Sequence, residues 1–187
     1  MSLDNTTSSA VIIANTKQWI EEIVIGMNFC PFAKRVWDKD LIAYKIADNK
    51  TIEEDIFTLL DLCTELDNNN ALETGFVIYP KHLANFDDYL DFLELASQLL
   101  IEQGYEGIYQ LASFHPQYCF DETSQSAAEN YTNRSPYPML HLLKEQSLET
   151  ALEHYKDADE IPLRNIEAAK QKGAEFFADI LKKILND

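Results

Sequence analysis

Glycine is scarce in this chain, with 5 in 187 residues, and it forms no GxGxxG or Walker loop. Neither GxSxG nor HExxH occurs, so the local signatures of dinucleotide, nucleotide, serine-hydrolase and zinc-protease chemistry are missing. Cysteine occurs 3 times, at Cys30, Cys63 and Cys119, too few and too scattered for a disulfide framework. Positive charge is short as well. Fifteen Lys and Arg face 32 Asp and Glu, a formal net charge of −17. That balance argues against a nucleic-acid backbone or an anionic membrane as partner. No apolar run approaches the ~20 residues of a membrane span. Met1–Ser9 is polar and holds neither Lys nor Arg, so it does not follow the plan of a signal peptide. The expectation is a cytoplasmic, acidic protein: a tail over residues 1–10 that lacks order, then one domain over residues 11–187.

What the chain does have is uneven. Between Asp48 and Glu102 stand 13 acids and 2 bases, whereas Asn28–Ile46 carries 4 bases against 2 acids. The acids fall on solvated helix faces and keep the protein soluble. Apolar residues recur at helical spacing over Asn15–Ile25, Thr51–Cys63 and, most clearly, Asn85–Gln103. Short apolar runs at Leu41–Ala47, Phe76–Tyr79 and Gly107–Ser113 read as strands. Residues 114–135 have no period and read as a long loop of the kind that carries function. Pro136–Glu145 reads as a short helix, Ser147–Tyr155 as another, and Pro162–Leu185 as a long closing helix. The alternation predicts a single α/β domain. It has a small, mostly parallel sheet of three or four strands covered by helices, with extra helices at both ends.

Two stretches hold chemistry at a density a core does not require. In Asn28-Phe29-Cys30-Pro31-Phe32-Ala33, Pro31 suits a first helical position, which makes Cys30 a helix cap. There the dipole with Lys34 and Arg35 favours thiolate, so Cys30 is a candidate nucleophile; a buried structural thiol is the competing reading. The second pairs Ala112-Ser113-Phe114-His115-Pro116 with Thr132-Asn133-Arg134-Ser135-Pro136-Tyr137-Pro138-Met139-Leu140-His141. His115, on an extended backbone after a strand, is a candidate general base. Arg134 beside a helix entrance capped by Ser135 suits a carboxylate or phosphate. Asn133 and His141 complete the candidate binding set, though Asn133 and Arg134 can equally tie the loop to the body through backbone carbonyls. Cys30, His115, Cys119 and His141 show no short ligand spacing, so no metal is expected.

These two stretches, with Trp19-Ile20-Glu21, Glu73-Thr74 and Phe86-Asp87-Asp88-Tyr89-Leu90-Asp91-Phe92, resemble a bacterial family of cytoplasmic proteins of unknown function, over about Trp19 to Lys170. That resemblance implies no catalytic residue. Locally, Phe29-Cys30-Pro31-Phe32-Ala33-Lys34-Arg35 is similar to the active-site turn of omega-class glutathione transferases and to that of glutaredoxins, with Ala33 where glutaredoxins carry a second cysteine. It implies Cys30 in a mixed disulfide with glutathione. Three readings follow. One is a small enzyme acting on a small anionic molecule through Cys30, His115 and Arg134. Another is a glutathione-linked thiol-redox protein using Cys30. The third is a non-catalytic ligand-binding or scaffold protein.

Overall fold

The computed structural model describes residues 8–153 and 155–186. Its centre is a four-stranded sheet in the order β1-β2-β4-β3, with β1 Ile42–Ile46, β2 Thr74–Ile78, β3 Tyr109–Phe114 and β4 Met139–Lys144. Strands β1 and β2 are parallel; β4 runs antiparallel to both of its neighbours, β2 and β3. The sheet is therefore mixed rather than mostly parallel. The three strands read from the sequence are present. The fourth is the segment expected to be a helix from Pro136. Leu140 and Leu142 pack on one face of the sheet and Met139 on the other, so the run shows no polar alternation. A short run that is apolar on both faces cannot be told from a buried helix by period alone.

One face is covered by α3 (Ile52–Asp55), α4 (Phe57–Asn68) and α5 (Phe86–Glu102). Thr51 accepts from the amide of Glu54, and Asn85 accepts from those of Asp87 and Asp88, so both caps are made by side chains. Leu59, Leu62 and Leu66 of α4 meet Tyr89, Phe92 and Ala96 of α5 above Ala43, Val77 and Leu140.

The opposite face is covered by α1 (Ser9–Trp19), a π-helical turn over Ile20–Ile25, α2 (Ala33–Asp38), α6 (Glu145–Glu153), α7 (Ile161–Lys172) and α8 (Ala174–Asn186). Trp19, Ile20 and Ile23 pack with Phe177 and Ile184 over Phe76, Ile78 and Met139. The long closing helix is two helices, because Gly173 at φ 83 turns the chain out of helical geometry. The first helix starts before Asn15. Ser8 caps it, and Asn15 is buried against the Tyr137 hydroxyl at 2.9 Å. Of the tail expected over residues 1–10, residues 1–7 lie outside the described residues, while Ser9 and Ala10 are helical.

Gly75 is where sheet and helix come closest. A Cβ there would stand 2.7 Å from Leu62 Cδ1 and 3.2 Å from the Ala43 Cβ. Leu62 is fully buried and has no room to retreat. Gly75→Ala is expected to lose about 1–3 kcal/mol of stability through overpacking, read as a lower urea midpoint with an unchanged m-value.

Candidate functional site

Between the sheet and its N-terminal helices lies a cavity of ≈ 210 Å³. Thr74, Phe76, Ala112, Phe114 and His141 form its floor; Trp19, Ile20 and Val24 form its roof. Cys30 and α2 close one side, and Ser147, Leu148 and Ala151 of α6 another. Trp19 is held in place by an indole N–H bond of 2.9 Å to the Arg134 carbonyl and by an edge contact of 5.0 Å with Phe114. Outside lies a wider groove of ≈ 660 Å³, lined by Pro31, Gln146 and Tyr155 among others. Phe32, Arg35, Glu73, Ser147 and Ala151 border both spaces, so cavity and groove are continuous.

His141 is the polar centre of the floor. Its ring stacks on Phe76 at 4.0 Å between centroids and 7° between planes. Its Nε2 lies 2.7 Å from the Thr74 hydroxyl, which in turn donates to the Leu142 carbonyl at 2.6 Å. The hydroxyl has one proton and spends it on the carbonyl, so Nε2 must carry the other proton and donate. That leaves Nδ1 as a bare acceptor, and no described group bonds it. Burial pushes the imidazole down to about 3, so it is neutral at physiological pH.

Cys30 reaches the same cavity. Burial raises its thiol above the ordinary value, against the pull of the Phe32 and Ala33 amides, so the thiol form is favoured. The bases expected to lower it are engaged elsewhere. Lys34 bonds Asp38 at 2.8 Å, and Arg35 grips Glu73 with both terminal nitrogens, one contact at 2.7 Å. The helix itself starts only at Ala33, three residues on, so Cys30 is not its cap. Cys63, fully buried on the core face of α4, is pushed up to about 12.

The structure does not bring Cys30 together with His115 and Arg134. His115 is fully buried on the α5 side between the rings of Phe86 and Tyr89. Its Nε2 donates to the Leu83 carbonyl at 2.8 Å and its Nδ1 accepts the Gln117 amide at 3.0 Å, so both nitrogens are committed. Burial lowers its basicity too. Arg134 donates to the carbonyls of Tyr118 and Gln125 at 3.0 and 2.7 Å and lies over the Tyr131 ring. Asn133 donates to the Ser113 carbonyl at 3.1 Å, and Ser135 to that of Tyr137 at 2.6 Å. Together these side chains satisfy the backbone of the loop between β3 and β4. Asn130 is the partner the sequence reading passed over. Fully buried, it accepts the Phe120 amide at 3.0 Å and donates to the Ser124 carbonyl at 2.8 Å. It lies just before the Thr132–His141 stretch, and nothing in the local sequence marks it as buried. Thr74 and Glu73 were likewise read only as part of a resemblance, since nothing local links them to His141 and Arg35.

The fold and cavity define the class: a mixed-sheet α/β domain with an apolar pocket on one face of the sheet. Comparison with protein families matches residues 11–179 to a protein of unknown function, DUF1415, and the chain belongs to that family. No curated protein and no solved structure matches it. Among the described residues no helix is long and apolar enough to cross a membrane, and no group of three or more His, Cys, Asp or Glu side chains could hold a metal ion.

The electrostatics have two measurable consequences. His141 titrates near 3 when folded but near 6.5 when unfolded, so as pH falls the unfolded chain takes up the proton first. Its contribution is complete above about 6.5 and is lost towards about 3, up to roughly 5 kcal/mol. The difference in unfolding free energy between wild type and His141→Gln should shrink across that window as pH falls; a constant difference would disprove the assignment. For the thiols, alkylation of Cys30 at neutral pH should lag an unstructured cysteine and accelerate as pH rises, with Cys63 slower still. Mass spectrometry of partially labelled protein reads the order.

Proposed function

We propose that this protein binds a small molecule, seating a compact uncharged group with one O–H or N–H donor in the cavity beneath Trp19. The observation that carries the reading is an apolar cavity of ≈ 210 Å³ in which a neutral imidazole holds an unpaired acceptor nitrogen. Protein interiors are packed to crystal density, so an unfilled apolar recess of this size is a departure that a bound group would remove. An apolar cavity of about 150 Å³ already accepts benzene. The space therefore suits a ring or a branched alkyl group. The aromatic walls offer it flat contact, and His141 Nδ1 offers the single polar contact that fixes its orientation.

Catalysis by a Cys30–His141 pair is less favoured. Moving a proton from a thiol of ordinary or raised pKa to an imidazole near 3 is uphill by at least about five powers of ten. The glutathione reading needs a reactive thiolate, and burial favours the thiol form of Cys30. The small-anion reading needs a free guanidinium, and that of Arg134 is occupied by loop carbonyls.

Phenol, indole and toluene are suitable probes. Phenol and indole are expected to raise the melting temperature, alter Trp19 fluorescence and slow alkylation of Cys30, with toluene weaker. In His141→Phe the preference for phenol over toluene should disappear. The reading fails if none of the three shifts melting or protects Cys30.

A further inference from the structure

The cavity mouth carries two opposite charges that an uncharged ligand would not use. Arg35 and Glu73 form a two-pronged ion pair where the inner cavity opens into the outer groove, and both side chains keep access to solvent, 50% and 24% exposed. The other charged residue lining the cavity is Lys144. Its ammonium is engaged by the Leu66 and Leu72 carbonyls at 2.9 and 3.0 Å, which leaves Arg35 and Glu73 as the charges available at the mouth.

We infer that the ligand is a free α-amino acid with a large apolar, preferably aromatic, side chain. Its side chain enters the cavity, its carboxylate meets Arg35 and its ammonium meets Glu73. This rests on the cavity being a ligand site. Charge matching chooses the zwitterion over its relatives. A lone carboxylate that captures Arg35 strips Glu73 of its partner, and a lone amine does the reverse. A zwitterion exchanges one ion pair for two and leaves the net charge of the mouth unchanged. The guanidinium fork matches a carboxylate in two parallel bonds. An exposed ion pair contributes little to stability, so opening it is a small cost to binding. The two charges of an α-amino acid are attached to one carbon, which suits protein charges that touch each other, whereas those of a peptide lie at its separate ends. The cavity walls of Trp19, Phe76, Phe114 and His141 present rings to the side chain. Tyrosine and tryptophan add an O–H or N–H donor of the kind His141 Nδ1 can accept.

The test compares phenylalanine with 3-phenylpropionate and phenethylamine, which each lack one of its charges, and with uncharged phenol, by calorimetry on the full chain. Tyrosine and tryptophan are run beside them. Phenylalanine is expected to bind roughly tenfold or more tightly than either singly charged analogue. Glu73→Gln and Arg35→Lys should each remove most of that advantage, read within each variant as the ratio of phenylalanine affinity to phenol affinity, with the unliganded melting temperature close to wild type. Equal or tighter binding of 3-phenylpropionate would overturn the inference, as would unchanged phenylalanine affinity in Glu73→Gln. If phenol binds and no amino acid does, the cavity reading stands and the zwitterion falls. If neither charged nor uncharged probes bind, both fall.

Discussion

The pairing of β4 between β2 and β3 is the constraint on which the rest of the molecule depends. Its register sets His141 opposite Phe76 on one side and Ala112 on the other. Side chains alternate faces along a strand, so a slip of one residue would carry His141 to the α4–α5 side and put Leu140 or Leu142 in the cavity. The Thr74 hydroxyl opposes such a slip. It ties the first residue of β2 to both the His141 ring and the Leu142 carbonyl. The same contact sets the tautomer of the imidazole. One hydrogen-bonded threonine thus links sheet register to the polarity of the pocket floor.

Burial then acts on both titratable groups in one direction, towards the uncharged form. It raises the thiol of Cys30 and lowers the imidazole of His141. A reactive pair needs the opposite arrangement, in which each charge stabilises the other at the expense of solvation. Charge is instead confined to the rim, where Arg35 and Glu73 remain in contact with water. The site is apolar inside and ionic at its edge.

The fold was legible where local pattern and burial agree. β1, β2 and β3 stood out as apolar runs, and α5 as a long amphipathic stripe. β4 was hidden because its central position makes it apolar on both faces. Assigning it to a helix hid the place of His141 on the sheet face, although the fixed φ of Pro136 and Pro138 is also at home in extended chain. Cys30 was conspicuous, but its neighbours misled. Only the long-range packing of Trp19 and α6 shows that its surroundings are apolar, and only the fold shows that Lys34 and Arg35 already have carboxylate partners. Glu73 is 38 residues from Arg35 in sequence, and no local rule joins them.

The density of polar chemistry around residues 115–138 has a topological origin. Adjacent antiparallel strands can be joined by two residues. Here β3 and β4 are joined by a segment that passes beneath α5, reaches α7 and α8 and returns, and its irregular backbone cannot satisfy itself. The imidazole of His115, the amides of Asn130 and Asn133 and the guanidinium of Arg134 supply partners to the carbonyls of Tyr118, Ser124 and Gln125 and the amides of Gln117 and Phe120 within the segment, and tie it to the Leu83 and Ser113 carbonyls outside it. Side chains suited to acid–base and anion chemistry are equally suited to capping peptide groups, and composition cannot separate the two uses. What separates them is whether any donor or acceptor is left over. In the loop these ring, amide and guanidinium groups are spent on backbone. In the cavity, His141 keeps one nitrogen in reserve.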